Sequence, residues 1–135
     1  MIETIRETVL RFHPQVEAFY LFGSHARAEQ WPGSDLDLAL LLPLEIAREM
    51  RPLACSPCHQ ALEARCRKGV DLVNLRLVST VFQNEILNTG ERVFTGDEEA
   101  ALAFEMTVLS AYQKLNEERA EILRSFRETK RAYAI

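Results

Sequence analysis

The sequence lacks the features that would place a protein in a membrane or on nucleic acid. It has no run of about 20 apolar residues, which a membrane-spanning helix requires, and residues 1–12 predict an amphipathic helix rather than a charged-then-apolar signal segment. Its 16 Lys and Arg are outnumbered by 20 Asp and Glu, for a net charge of −4, whereas phosphate backbones need clustered basic residues. We therefore expect a cytoplasmic protein with no membrane contact and no direct nucleic-acid binding.

Internal repeats and low-complexity stretches are also missing. The composition that remains, 47% hydrophobic and 27% charged, is ordinary for a globular protein. From its 135 residues we expect one buried core and no second catalytic domain.

A glycine-serine turn follows the first predicted strand. Residues 16–22 are rich in β-branched and aromatic side chains, which predicts a strand, and Gly23-Ser24 ends it abruptly. Ser24 is a suitable N-cap for a short following helix, whose free N–H groups and dipole favour an anion. We expect phosphate groups to bind here.

Two aspartates begin the next predicted strand, residues 34–42, which is entered through Pro32-Gly33. Because side chains alternate across a strand, Asp35 and Asp37 point to one face, and the other face carries Leu36, Leu38, Leu40 and Leu42. Two unpaired carboxylates would repel each other, whereas oxygen ligands of this kind suit Mg²⁺. The pattern predicts a metal site.

A third carboxylate, Asp71, lies in a short apolar segment at residues 70–75, introduced by Lys68-Gly69. If this strand lies beside the first, the three aspartates can hold two metal ions roughly 3.5–4 Å apart, an arrangement used for in-line phosphoryl displacement. The alternative is that Asp71 is only a turn or cap residue at a strand start.

Together these segments resemble the DNA polymerase β-like nucleotidyltransferases. Residues 21–27 (Leu-Phe-Gly-Ser-His-Ala-Arg) resemble the family's glycine-serine motif, residues 34–38 (Ser-Asp-Leu-Asp-Leu) its Asp-x-Asp motif, and residues 70–73 its third-carboxylate strand. Within the family, the chain is similar over about residues 1–95 to the minimal nucleotidyltransferases (MNT) that act as antitoxins in HEPN/MNT toxin-antitoxin pairs. One departure is Ala28, where many members have glycine.

The resemblance implies a fold and an activity. The fold is an α/β (α+β) domain, a small mixed sheet flanked by helices. The activity uses ATP and Mg²⁺, with two ions, to transfer AMP to a tyrosine hydroxyl of a partner HEPN ribonuclease toxin, which neutralises it.

Each site residue has a role under this resemblance. Gly23 and Ser24 would hold the β and γ phosphates, and Asp35, Asp37 and Asp71 would bind metal, with Asp71 also able to take the acceptor proton. Arg27, one helical turn beyond Ser24, could face the phosphates or form a structural ion pair.

Two other functions stay open. A small-molecule nucleotidyltransferase of the aminoglycoside type would share the motif, although such relatives usually carry an added substrate domain. A non-catalytic antitoxin could act by stoichiometric binding, although it would not need the three acids.

The segment Cys55-Ser56-Pro57-Cys58-His59 has the spacing of a c-type haem attachment site and, with Cys66, offers four zinc ligands. Haem attachment requires export, and a closed zinc site would require Cys66 to fold back on its own segment. Ser56-Pro57 instead predicts the N-cap and first residue of a helix through Arg67. We expect no disulfides in a reducing cytoplasm.

Towards the C-terminus we predict a helix over 79–88, a strand over 91–94 and a long helix capped by Asp97. We assign residues 1–96 to the nucleotidyltransferase core and residues 97–135 to a helical extension of the same domain. Some 35 residues would span roughly 50 Å, more than so small a domain. The helix must therefore project, as a docking surface for the HEPN partner, or fold back as a hairpin.

Overall fold

The computed structural model describes residues 1–23 and 35–133 and contains, within them, four strands and five α-helices. The strands are β1 (Ala18–Phe22), β2 (Leu36–Leu41), β3 (Val70–Asn74) and β4 (Glu91–Thr95). The helices are α1 (Ile2–Phe12), α2 (Leu44–Met50), α3 (Pro57–Cys66), α4 (Thr80–Thr89) and α5 (Glu98–Tyr133).

The strands form one mixed sheet in the order β3-β2-β1-β4. Strand β1 is antiparallel to both β2 and β4, whereas β2 and β3 run parallel. The α/β class and the small mixed sheet are thus confirmed, and the two aspartate-bearing strands, β2 and β3, lie side by side.

Both faces of the sheet are buried, each under its own helices. Leu36, Leu38 and Leu40 of β2 lie in one core cluster with residues of α1, α2 and α3. Ala39 and Leu41 lie in the other, with residues of α4 and α5. The alternation predicted for β2 is confirmed, and the face that carries Asp37 is the one beneath α4 and α5.

Side-chain caps begin three of the helices. Ser56 Oγ accepts from the N–H of His59 (3.2 Å) at α3, and Ser79 Oγ accepts from that of Phe82 (3.2 Å) at α4. Asp97 Oδ1 accepts from Ala100 N–H (3.1 Å) at α5. These caps confirm the predicted helix starts. Helix α2, only seven residues long, was not predicted.

Helix α5 runs without a break over 36 residues, about 54 Å, so the hairpin alternative is wrong for residues 98–133. Its first turns are buried on the sheet through Ala101, Phe104 and Val108. From residue 116 to residue 129 every position is exposed. The second half of the helix therefore extends beyond the core. None of the helices in the described ranges is both long and apolar enough to cross a membrane.

Candidate active site

Three chain segments meet at one edge of the sheet. Strand β1 ends there at Phe22, and because β2 is antiparallel to β1 and parallel to β3, both β2 and β3 begin there. Asp37 pairs with Phe22 on one side and with Asp71 on the other. Paired residues of adjacent strands point to the same face, so the two carboxylates project side by side. Asp37 is half-buried and Asp71 is exposed.

Asp35 precedes β2 and is exposed at the same edge. Its side chain lies against Gly69, where an added Cβ would come within 2.5 Å of Asp35 Oδ1. The backbone also joins the two segments, since the N–H of Leu36 donates to the carbonyl of Gly69 (2.9 Å). Gly69 thus leaves the space that the Asp35 carboxylate occupies between the starts of β2 and β3.

Gly23 turns the chain immediately after β1 and packs on Asp37. Its φ of 69° lies in the left-handed region, which glycine adopts without a Cβ penalty. A Cβ at this position would overlap the Asp37 carboxylate. Glycine is therefore required here both by its conformation and by the close approach of the backbone to a predicted metal ligand.

The donor chemistry of this edge fits Mg²⁺. Asp37 and Asp71 present carboxylate oxygens from paired positions on adjacent strands, and neither side chain is fully buried. Mg²⁺ prefers hard oxygen ligands of this kind. Across residues 1–23 and 35–133, no three Asp, Glu, His or Cys side chains are drawn into one group that could hold a metal ion. The fold thus brings the three aspartates to one edge without gathering them around a common point.

Two predicted site residues, Ser24 and Arg27, lie outside the described residues, as do Pro32-Gly33 and Ser34. Of the expected phosphate-binding turn, only Gly23 is described. The roles assigned to Ser24 and Arg27 stay predictions.

Sequence reasoning missed a polar contact behind Asp71. His59 and Glu63, both on α3, hydrogen-bond to the backbone of Val70, the residue before Asp71. In the sequence, His59 is recognisable only as a candidate metal or haem ligand, and Ser56-Pro57 is the signal that places it in the first turn of a helix. Nothing in the local pattern shows which strand that helix covers.

The cysteines lie around the same helix. Cys58 is buried and Cys66 is half-buried on α3, while Cys55 is exposed just before it. Burial raises the pKa of the Cys58 thiol from 9.0 to about 11 and is also the largest cause of the raised pKa of Cys66. Burial thus disfavours the reactive thiolate form of both side chains, more strongly for Cys58 than for the half-buried Cys66.

The chain is similar in sequence to known nucleotidyltransferases. Residues 3–99 match the family described as polymerase beta, nucleotidyltransferase. The protein adenylyltransferase MntA of Shewanella oneidensis is 30% identical over 123 residues, which is 91% of this chain and 82% of that protein.

Solved structures show the same likeness. A toxin-antitoxin crystal structure with AMP-PNP contains a chain that is 28% identical, with a TM-score of 0.71, over 92% of this chain and 96% of that one. A complex of tri-AMPylated Shewanella oneidensis HEPN toxin with MNT antitoxin contains one that is 26% identical, with a TM-score of 0.65, over 92% of this chain and 93% of that one.

Proposed function

This chain is a nucleotidyltransferase that belongs to the polymerase β family, and we propose that it is an antitoxin that transfers AMP from ATP to a partner HEPN toxin and thereby neutralises it. The relative MntA is named a protein adenylyltransferase, and the solved complexes pair similar chains with AMP-PNP and with an AMPylated HEPN toxin. The proposed acceptor is a tyrosine hydroxyl of the toxin, and the other product is pyrophosphate.

The observation that carries the proposal is that Asp37 and Asp71 are paired neighbours on adjacent strands, at the end of the sheet where Gly23 turns the chain. A protein that acted only by covering its toxin would have no use for carboxylates placed side by side at the end of a buried sheet. Adjacent carboxylate oxygens are the ligands that a divalent cation such as Mg²⁺ prefers, so the juxtaposition favours a metal-binding site.

In the proposed site, Gly23 and Ser24 hold the β and γ phosphates, Arg27 faces the nucleotide, and Asp35, Asp37 and Asp71 hold Mg²⁺. When bound, two Mg²⁺ ions would neutralise phosphate charge and lower the pKa of the acceptor hydroxyl. Asp71 is the exposed member of the pair and stands where an incoming hydroxyl can approach. Because a tyrosine hydroxyl has a pKa near 10, it must lose its proton as it attacks, and the proposal assigns Asp71 as the acceptor of that proton.

The proposed toxin-binding surface is the projecting half of α5, residues 116–133. It carries large apolar side chains that face solvent, among them Ile122 (67% exposed), Leu123 (56%) and Phe126 (64%). Exposed apolar side chains grouped on a projecting helix are typical of partner contacts. The core would then carry the chemistry while the extension holds the substrate protein.

The test uses ATP labelled in its AMP portion, Mg²⁺ and the purified cognate HEPN toxin. Wild-type protein should label the toxin, and Asp35→Asn with Asp37→Asn should reduce labelling by at least ~10²-fold, because charge stabilisation of the reacting phosphate is lost. Asp97→Asn is the matched control, since it removes an exposed carboxylate that only caps α5. Equal labelling by the double variant would refute the catalytic assignment, and toxin neutralisation without any labelling would establish stoichiometric binding instead.

A further inference from the structure

His59 connects the loop before α3 to strand β3. The backbone N–H of Cys55 donates to His59 Nδ1 (2.9 Å), and His59 Nε2 lies 2.6 Å from the carbonyl oxygen of Val70. Because Nδ1 accepts a hydrogen bond, the ring proton resides on Nε2, which donates to Val70. The side chain is mostly buried, with 14% of its surface exposed. Both ring nitrogens are thus used in holding backbone.

Glu63, one turn further along α3, completes the contact. Its Oε2 accepts from the N–H of Val70 (3.1 Å), and its Oε1 lies 3.7 Å from His59 Nε2. Strand β3 is the outermost strand on its side of the sheet, and the backbone groups on the outer side of such a strand normally lack partners. Two side chains of α3 therefore satisfy both backbone polar groups of Val70 on the side facing away from β2.

This contact acts directly on the backbone of Asp71. The carbonyl carbon of Val70 is bonded to the amide nitrogen of Asp71, so the hydrogen bond from His59 fixes the plane of that peptide. On the opposite side, β2 holds the same segment through the bond from Leu36 N–H to Gly69. The backbone next to Asp71 is therefore held on one side of the strand by α3 and on the other by β2.

We propose that His59 and Glu63 are positioning residues for catalysis, which hold the Val70–Asp71 peptide so that the Asp71 carboxylate stays opposite Asp37. The proposal rests on the proposed role of Asp71 in AMP transfer. Reacting groups must be held within about 0.5 Å of their productive geometry, and a displacement of ~1 Å can cost ~10²-fold in rate. An edge strand without this contact would not hold a carboxylate so closely.

The test separates the two contacts of His59. His59→Gln can still donate to the Val70 carbonyl, because its amide nitrogen reaches about as far as Nε2. His59→Asn can accept from Cys55 but does not reach Val70, and His59→Ala does neither. We expect single-turnover AMP transfer to fall about 10-fold in His59→Asn and His59→Ala and to recover to within about 3-fold of wild type in His59→Gln. Binding of AMP-PNP should change less than about 3-fold in all three, because the phosphate-binding turn lies elsewhere.

Glu63 gives a second, independent arm. Glu63→Gln keeps an oxygen that can accept from Val70 N–H, whereas Glu63→Leu does not. Transfer should fall about 10-fold only in Glu63→Leu. Amide hydrogen exchange at Val70, measured by NMR, should be faster in that variant, which reports the contact without reference to activity.

Arg65→Met is the matched control on the same helix. Arg65 donates to Thr8 Oγ1 (2.9 Å) and to Glu7 (3.2 Å) on α1, and so secures α3 on the side away from β3. We expect a lower melting temperature, with unchanged transfer per folded molecule and unchanged exchange at Val70.

The other possible results distinguish the positioning role of His59 and Glu63 from the catalytic role of Asp71. An equal loss of transfer in Arg65→Met would overturn the positioning role, since the effect would then follow stability. If Asp71→Asn is inactive but His59→Asn and Glu63→Leu turn over normally, only the positioning role is overturned. If Asp71→Asn itself transfers AMP normally, the assignment of Asp71 and the positioning role are overturned together.

Discussion

Asp37 and Asp71 are direct neighbours on two parallel strands, although 34 positions of sequence separate them. The pairing follows from the crossover between β2 and β3, which includes α2 and α3 and returns the chain to the same edge of the sheet. Since both strands run the same way, both place an aspartate near their start at that edge. Neither acid could be matched to the other by local pattern alone.

Replacing Asp71 by Asn tests whether its charge takes part in the reaction. The amide keeps the shape of the carboxylate, but it neither takes a proton nor attracts a cation as strongly. We expect AMP transfer to fall by at least ~10²-fold while AMP-PNP binding stays within a few-fold of wild type. Single-turnover kinetics and calorimetry provide the two measurements. A lower melting temperature with normal turnover per folded molecule would instead make Asp71 a structural turn residue.

Replacing Gly23 by Ala tests the close approach of this turn to Asp37. The new Cβ meets two obstacles, the left-handed φ of 69° and the Asp37 carboxylate. The conformation alone costs about 1–2 kcal/mol, and moving the carboxylate adds to it. We expect Gly23→Ala to abolish AMP transfer and to lower the free energy of unfolding by more than the conformational cost alone.

A double-mutant cycle with Asp37→Ala separates the two costs of Gly23→Ala. Without the carboxylate only the conformational strain remains, so Gly23→Ala should destabilise the Asp37→Ala background by a smaller amount. Denaturant unfolding of the four proteins gives the comparison. Strictly additive effects would show that Gly23 and Asp37 are energetically independent.

Much of this architecture could be predicted because its signals are local. The alternation around Asp37 and the caps at Ser56, Ser79 and Asp97 each identify a strand or a helix from a few neighbouring residues. Helix α2 was missed because seven residues carry too little periodicity. The strand order, with β1 between β2 and β4, depends on tertiary packing and could not be deduced from local pattern.

His59 shows why part of the site stayed hidden. In sequence it completes a Cys-x-x-Cys-His spacing, which is typical of metal or haem attachment. In the structure its ring nitrogens bond the backbone of Cys55 and of Val70. The second partner lies 11 positions away on another element, so no local spacing rule relates the two residues.

The three cysteines should differ in their reaction with iodoacetamide at pH 8. Cys55 is exposed and should be alkylated first, Cys66 more slowly, and Cys58, which is 1% exposed, last. Mass spectrometry of digests over time gives the order, and denatured protein, in which all three should react alike, is the control. Alkylation of Cys58 as fast as Cys55 would contradict its burial.

The same burial predicts a pH dependence of stability. The pKa of Cys58 is raised in the folded state to about 11 from 9.0, so the folded protein keeps a proton that the unfolded chain releases. The contribution of Cys58 is fully present below about pH 9 and is lost as pH rises through about 11, amounting to at most roughly 2–3 kcal/mol. Denaturant unfolding between pH 8 and pH 11 should show this decline, and Cys58→Ala should reduce its slope. An equal slope in Cys58→Ala would assign the decline to other groups.

Truncation after Asn116 tests the projecting half of α5 as the toxin-binding surface. The start of the helix stays anchored, because Phe104 and Val108 are buried and Tyr20 donates a hydrogen bond to Glu105 (2.9 Å). Since every described side chain from residue 116 to residue 129 is exposed, we expect the melting temperature to change by only a few degrees. Co-purification with the HEPN toxin should be lost, and toxin labelling should slow.

Point variants of the full-length chain separate the apolar contact from the length of the helix. Ile122→Ser with Phe126→Ser removes two exposed apolar side chains and should weaken toxin binding by at least ~10-fold, whereas Glu121→Ser with Arg124→Ser, a charged pair on the same turns, should have little effect. Serine disfavours helix in both pairs, so a difference between them reports the apolar contact itself. A truncated protein that melts normally and still binds its toxin would place the toxin on another surface, whereas one that fails to fold would show that the projecting half stabilises the core.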